Sequence, residues 1–288
     1  MNILLTGGTG FIGKNFVNLL VNTNHSVLVL TRSRSKKIKN INFLRSNLNL
    51  SKLSLKKIKK FKPSIIINLA WEGIPNFGKS ISQKNKIDQI NFFKKILTIK
   101  EIKKVISIGS CWEYKKKGGL CKESDKTNSK TYFTKAKLSI RSYIEKECKI
   151  KNINFLWFRL FYVFGPYQRK GSLIPFVIKQ ITKNKSLEKI NLKNQNDFIY
   201  VNDCCKIIYY SIKKKMPSGI YNIGSGNLTS VYEIVSILLK FFKKKKLKCL
   251  NKFNNSVFAS TSKLKRYIKY KNKTKINNDV IKTIKYYE

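Results

Sequence analysis

Three glycines, at positions 7, 10 and 13, are spaced as a chain would space them to cradle a phosphate. They follow the apolar run Ile3-Leu4-Leu5 and precede a helical pattern that opens at Phe11 and runs to Leu20. Strand, glycine turn and helix together make the context that turns a bare spacing into a dinucleotide site. Gly7 permits the tight turn, Gly10 lets the backbone approach a pyrophosphate, and Gly13 lets the helix pack close to its strand. Thr9, Phe11 and Ile12 complete the segment, at a helix N-terminus whose N–H groups and dipole favour anions. The next apolar run ends in Thr31-Arg32-Ser33-Arg34. Arginine is scarce here, seven against 54 lysines, so two within three residues do not follow from a general lysine bias. Guanidinium forks hold a phosphate, which an acidic side chain would repel. This points to NADP(H) over NAD(H), with Arg32 and Arg34 on the 2′-phosphate. Ser110 closes a further apolar run at the end where open α/β sheets place ligands, and its hydroxyl can hydrogen-bond a substrate oxygen.

The elements that must position these residues alternate through the first two-thirds of the chain. Strands are read at residues 26–31, 64–70, 104–110 and 153–161, and helices at 51–61, 80–100 and 131–148. The strand at 64–70 is almost wholly apolar, as expected when both sheet faces are covered. Such alternation predicts an α/β fold: a Rossmann-type doubly wound parallel sheet with a small C-terminal α/β substrate-binding cap. The rhythm changes after Gly165-Pro166. Residues 1–165 are therefore read as the NAD(P)-binding domain, with 197–215 returning to it, and residues 166–196 and 216–288 as the cap.

Composition bounds the function classes. With 42% hydrophobic and 12% aromatic residues over 288 positions, the chain has enough apolar surface for a packed core. No apolar stretch is long enough to span a bilayer, so no membrane partner is expected. The first strand starts almost at Met1, which argues against a signal peptide and for a cytoplasmic location. The six cysteines lack metal-ligand spacing and suggest no disulfide framework, so reduced thiols and no metal site are expected. The net charge of +47 raises a nucleic-acid reading. However, the lysines are spread over the whole length and accompanied by much Asn and Ile, rather than clustered as Arg among aromatics. Weak, salt-sensitive attraction to polyanions is expected, not specific nucleic-acid recognition.

Four segments in register resemble the extended short-chain dehydrogenase/reductase family, the NAD-dependent epimerases and dehydratases acting on nucleotide-sugars. They are Thr6-Gly7-Gly8-Thr9-Gly10-Phe11-Ile12-Gly13; Ile106-Ser107-Ile108-Gly109-Ser110-Cys111-Trp112-Glu113-Tyr114; Phe133-Thr134-Lys135-Ala136-Lys137; and Arg159-Leu160-Phe161-Tyr162-Val163-Phe164-Gly165-Pro166. Asp197-Phe198 and Tyr221-Asn222-Ile223-Gly224-Ser225-Gly226 extend the last one. The resemblance implies hydride transfer at a sugar carbon by an epimerase, dehydratase or 4-keto reductase, on a nucleotide-diphosphate sugar. A homodimer is one assembly open to it. It implies that Ser110 polarises the sugar oxygen, that Lys137 holds the nicotinamide ribose, and that Leu69 and Ala70 line the cofactor site. Arg169 and Ser172-Leu173-Ile174-Pro175 resemble the cap segment that touches the nucleotide diphosphate, while Tyr162 and Asn196 depart from common family residues.

The chief departure is Phe133, which stands where the family's catalytic tyrosine belongs. A phenyl ring neither donates nor accepts a proton. Three explanations stay open. An irregular helix start brings in Tyr132, which is therefore carried as a catalytic candidate; another group, Tyr114, Glu113 or Cys111, serves; or the protein binds its ligands without turning them over.

Overall fold

The computed structural model describes residues 1–33, 37–245, 247, 248, 250, 252–269 and 275–288. The chain divides into two compact units. The first takes residues 1–115, 126–159 and 212–221; the second takes 116–125, 160–211 and 222–288.

The first unit is built on β1 (Asn2–Thr6), β2 (Ser26–Thr31), β3 (Ile41–Arg45), β4 (Ile65–Asn68) and β5 (Lys104–Ser110). Its helices are α1 (Phe11–Leu20), α2 (Lys52–Phe61), α3 (Lys79–Ile96) and α4 (Tyr132–Ile150). With the strands Asn154–Leu160 and Gly219–Ile223 these form one seven-stranded sheet. Its order is Gly219–Ile223, Asn154–Leu160, β5, β4, β1, β2, β3, and β1 pairs in parallel with both β2 and β4. The pairs β2–β3 and β4–β5 are parallel too. The expected doubly wound parallel sheet is therefore present. Strand order reverses between β1 and β4, the switch point that opens a crevice at the carboxyl ends of the strands.

Residue alternation explains why both faces are covered. Leu4, Leu28, Leu30 and Ile66 join a core with Ile58 of α2, Phe92, Phe93 and Ile96 of α3, and Ile140 and Ile144 of α4. Ile3, Leu5, Val27, Val29 and Ile67 alternate with them and are completely buried. Helix α1 covers that second face, with Val17 beside Leu5 and Val29 above Gly8.

Three segments differ from the sequence reading. The strand β3 and the strand Gly219–Ile223 were not foreseen, because each is a five-residue edge or near-edge piece with polar neighbours. Residues 197–215 were expected to return to the main sheet, but 197–211 pack within the second unit. There Phe198–Tyr200 pairs with Tyr162–Phe164. The cause is Asp197, which is fully buried and accepts hydrogen bonds from the N–H groups of Ser225, Gly226 and Ala259 and from the Ser225 hydroxyl. A buried carboxylate must be satisfied, and this one is satisfied only inside the second unit. That unit also carries the helices Leu173–Thr182, Val231–Phe241 and Ile276–Tyr287, and the helix Val201–Lys213 as far as Ser211. No disulfide joins the five described cysteines. Among the described residues no helix is long and apolar enough to cross a membrane, and no cluster of His, Cys, Asp or Glu is placed to hold a metal ion.

Candidate active site

A cleft of about 510 Å³ opens at the carboxyl ends of β1 to β4. The turn after β1 contributes Gly7, Thr9 and Gly10; the ends of β2 and β3 contribute Thr31, Arg32 and residues 46–49; the loop after β4 contributes residues 69–72. Gly7 has φ of +71°, and a Cβ there would lie 2.6 Å from the Leu69 carbonyl carbon. A Cβ on Gly13 would overlap the Gly7 carbonyl oxygen. The turn is closed by Gly10 N–H donating to Gly7 O at 3.0 Å, and α1 starts without a side-chain cap. Bare backbone and a helix N-terminus thus face the cleft, which fits a dinucleotide pyrophosphate.

A buried polar network fixes the cleft floor. The Thr6 hydroxyl donates to Asn68 Oδ1 at 2.6 Å, and Asn68 Nδ2 donates to Gln89 Oε1 at 2.9 Å and Ser107 Oγ at 3.0 Å. Gln89 then donates to the Ala70 carbonyl, and Asn85 brackets both the N–H and the carbonyl of Glu72. These side chains tie β1, β4, β5 and α3 together.

One wall is charged. Glu72 accepts from Lys84 Nζ at 2.7 Å and pairs with Arg32 at 3.1 Å, while Lys84 also reaches Asp88 at 3.1 Å. The hydrogen bond from Lys84 holds the Glu72 carboxyl below its ordinary value, with burial opposing and Arg32 assisting. Arg34, the other arginine foreseen here, lies outside the described residues. Phe11 and Ile12 form the first turn of α1, and Gly13 is buried beneath the turn. The sequence reading missed residues 46–49, Trp71 and Glu72. The polar stretch Ser46-Asn47-Leu48-Asn49 after the unrecognised β3 was the available signal.

Trp71 links the cleft to a second group of residues. It lines the cleft, and its ring lies under Lys137 Nζ at 4.2 Å. Its ring also packs edge-on against Phe133 at 5.0 Å, and Phe77 and Trp112 close the cluster. Lys137 is buried and donates to the Ile108 carbonyl at 2.8 Å. Burial pushes its ammonium down to about 8, against the pull of the Glu113 carboxylate. Ser110 ends β5, two residues beyond Ile108, and its hydroxyl accepts the Trp112 N–H at 3.2 Å.

The substitutes weighed for the missing phenol are placed as follows. Helix α4 starts regularly: Thr131 and Thr134 cap each other reciprocally, and Tyr132 is half exposed while Phe133 is buried. No irregular start brings Tyr132 into the group. Glu113 is completely buried and accepts from Ser110 N–H, Trp157 Nε1 and Arg159 Nε. Burial works against the charge of Arg159, but Glu113 and Tyr114 hold its pKa above the ordinary value. The guanidinium lies 4.4 Å from the centre of the buried Tyr114 ring. Glu113 and Tyr114 therefore brace the turn after β5, and Cys111 is buried within that turn.

Known proteins carry the same plan. The sequence profile of the NAD dependent epimerase/dehydratase family matches residues 3–224. GDP-6-deoxy-D-talose 4-dehydrogenase of Aggregatibacter actinomycetemcomitans is 30% identical over 244 residues, 83% of this chain and 79% of that one. CDP-abequose synthase of Salmonella muenchen is 25% identical over 248 residues, 83% and 80% of the two chains. In fold, a tyrosine-to-phenylalanine mutant of UDP-glucuronic acid 4-epimerase from Bacillus cereus, solved with NAD and a fluorinated UDP-sugar, superposes with a TM-score of 0.86. That match covers 100% of this chain and 99% of the other at 22% identity. With the glycine cradle, the serine at the end of β5 and the lysine of α4 in place, the chain belongs to the NAD-dependent epimerase/dehydratase family, the extended short-chain dehydrogenases/reductases of nucleotide-sugar metabolism.

Proposed function

We propose that the chain is an NADP(H)-dependent oxidoreductase working at C4 of a nucleoside-diphosphate-linked deoxy sugar, in the direction of 4-keto reduction. The observation that carries this reading is Trp71, which lines the glycine-turn cleft and also lies against the buried Lys137. The relatives support the position of attack and the sugar class, one being named for a 6-deoxy sugar and a 4-dehydrogenase. The bound nicotinamide supplies the hydride. The protein's own residues do the rest. The turn Gly7–Gly13 seats the pyrophosphate, Leu69 and Ala70 border the cofactor, Lys137 holds the nicotinamide ribose, and Ser110 polarises the carbonyl. A cytoplasmic setting suits a small soluble substrate and cofactor.

The preference for NADP(H) rests on Arg32 at the cleft wall, with Arg34 beside it in sequence and no acid at the end of β2. A charge-assisted hydrogen bond contributes about 1.5–3 kcal/mol, which is roughly 10- to 100-fold in affinity. Replacing Arg32 and Arg34 together by Ala is expected to erase that margin and leave NAD(H) affinity alone. Titrating both cofactors against both proteins measures it, and equal wild-type affinities would refute the preference. The activity itself is tested by incubating the protein with 4-keto-6-deoxy sugars on GDP, CDP and dTDP and following cofactor oxidation. A second reading, a dinucleotide-binding protein without turnover, is favoured by Phe133 alone. It is preferred if Phe133→Tyr creates activity that the wild type lacks.

A further inference from the structure

We propose that Lys137 is the proton donor of this chain's reaction, the task that a phenol at position 133 would otherwise perform. This rests on the reductase reading above. The geometry leaves few alternatives. Lys137 Nζ has three protons and one hydrogen-bond acceptor, the Ile108 carbonyl at 2.8 Å. Its other neighbours are rings, Trp71 at 4.2 Å and Phe133 at 5.9 Å. Among the described residues no carboxylate lies within ion-pair distance of it. A buried ammonium with spare protons and no carboxylate paired directly with it is poised to hand one to a ligand oxygen.

The charged and titratable groups around it are otherwise engaged. From the turn after β5, Glu113 is taken by Arg159, Trp157 and the Ser110 N–H. On the loop after β4, Glu72 is held by Lys84 and Arg32. Phe133, one turn before Lys137 on α4, carries no proton to give. The Ser110 hydroxyl can align or relay a proton, but no base stands behind it to make it the source. Burial brings Lys137 down to about 8, near the working pH of an acid catalyst.

The step balances. The carbonyl carbon accepts the hydride, the π pair of the C=O bond takes a proton from Lys137 Nζ, and the products are the sugar alcohol, oxidised cofactor and a neutral lysine. Water then returns the proton to the amine.

The test uses the full chain and three substitutions. Lys137→Arg keeps donors for a ribose but is not an acid near neutral pH. It is expected to lower turnover about 100-fold or more. Adding Phe133→Tyr to Lys137→Arg supplies a phenol and should recover much of that loss. A lysine that only holds the ribose leaves nothing for a phenol to rescue. In the wild type, turnover should fall as pH rises through about 8, and Phe133→Tyr alone should move that break. Independently of activity, NMR with carbon-labelled lysine should show one resonance, absent in Lys137→Arg, titrating near 8 without ligand. The proposal is overturned if that resonance stays charged beyond pH 10, if the double variant recovers nothing, or if only Phe133→Tyr turns substrate over. Failure of the reductase reading looks different. Wild type and Phe133→Tyr are then both inert on every sugar tried, and the proposal falls with it.

Discussion

Glu72 determines what Arg32 can offer a cofactor. The two are paired at 3.1 Å on the cleft wall, and Lys84 shares the same carboxylate oxygen. A 2′-phosphate must draw the guanidinium away from Glu72, so the ion pair subtracts from cofactor affinity. Both side chains are substantially exposed, and exposed pairs are worth about 0–1 kcal/mol. Glu72→Gln is therefore expected to raise NADP(H) affinity by up to about fivefold while leaving NAD(H) unchanged, read by titrating each cofactor. If Glu72→Gln weakens NADP(H) instead, the carboxylate serves the cofactor rather than competing with it. Glu113 is the opposite case. It is completely buried against Arg159, and removing its charge strands a buried guanidinium. Glu113→Gln should cost about 3–5 kcal/mol in denaturant unfolding. Most of these residues are easy to name and hard to place from a sequence. Glu113 was visible as a possible acid, but only packing shows that Trp157 and Arg159, more than forty residues later, have claimed it.

At the scale of elements, the turn between β1 and α1 and the first turns of α4 do the positioning. In the β1–α1 turn, Gly13→Ala would drive a methyl into the Gly7 carbonyl. Overpacking of that kind costs about 1–3 kcal/mol, and here it also displaces the phosphate turn, so cofactor binding should fall with stability. On α4, Lys137 is held charged inside the protein at a cost. Its folded pKa, about 8, lies below the unfolded value, so the unfolded chain binds more protons between the two. The contribution of Lys137 to stability therefore rises with pH across the interval from about 8 to 10.5. Lys137→Met removes that dependence and should be the more stable protein at pH 7, with its advantage shrinking as pH climbs through that interval. Paired denaturant melts at several pH values check the sign, and a constant difference would show that burial does not disfavour the charge. The glycine turn and the stripe of Phe133, Lys137, Ile140 and Ile144 were legible because they are local and periodic, and all four stripe residues are buried. The strand β3 was not. Its five residues are mostly half-exposed, and it is a strand because β2 offers a free edge, which no local pattern announces. The fate of residues 197–211 was equally hidden, since it depends on what Asp197 meets in segments 28 and 62 residues away.

Across the whole molecule the charge is lopsided, 61 basic residues against 14 acidic ones. Such a chain repels itself. Salt shortens the reach of these forces from about 10 Å at 0.1 M to about 3 Å at 1 M. Two kinds of anion should therefore respond differently. DNA or heparin meets a diffuse lysine surface and releases counter-ions, so its binding should fall by several decades between about 0.05 M and about 0.5 M salt, without regard to sequence. A nucleotide cofactor bound as proposed meets a formed cleft lined by Gly7, Thr9 and Gly10, and only a few charges contribute. Its affinity should change far less over the same range. Measuring both dissociation constants along one salt series separates the two. Nucleic-acid binding that survives high salt or discriminates between sequences would mean that the lysines form a specific surface, and that the cleft is not the only anion site on which function depends.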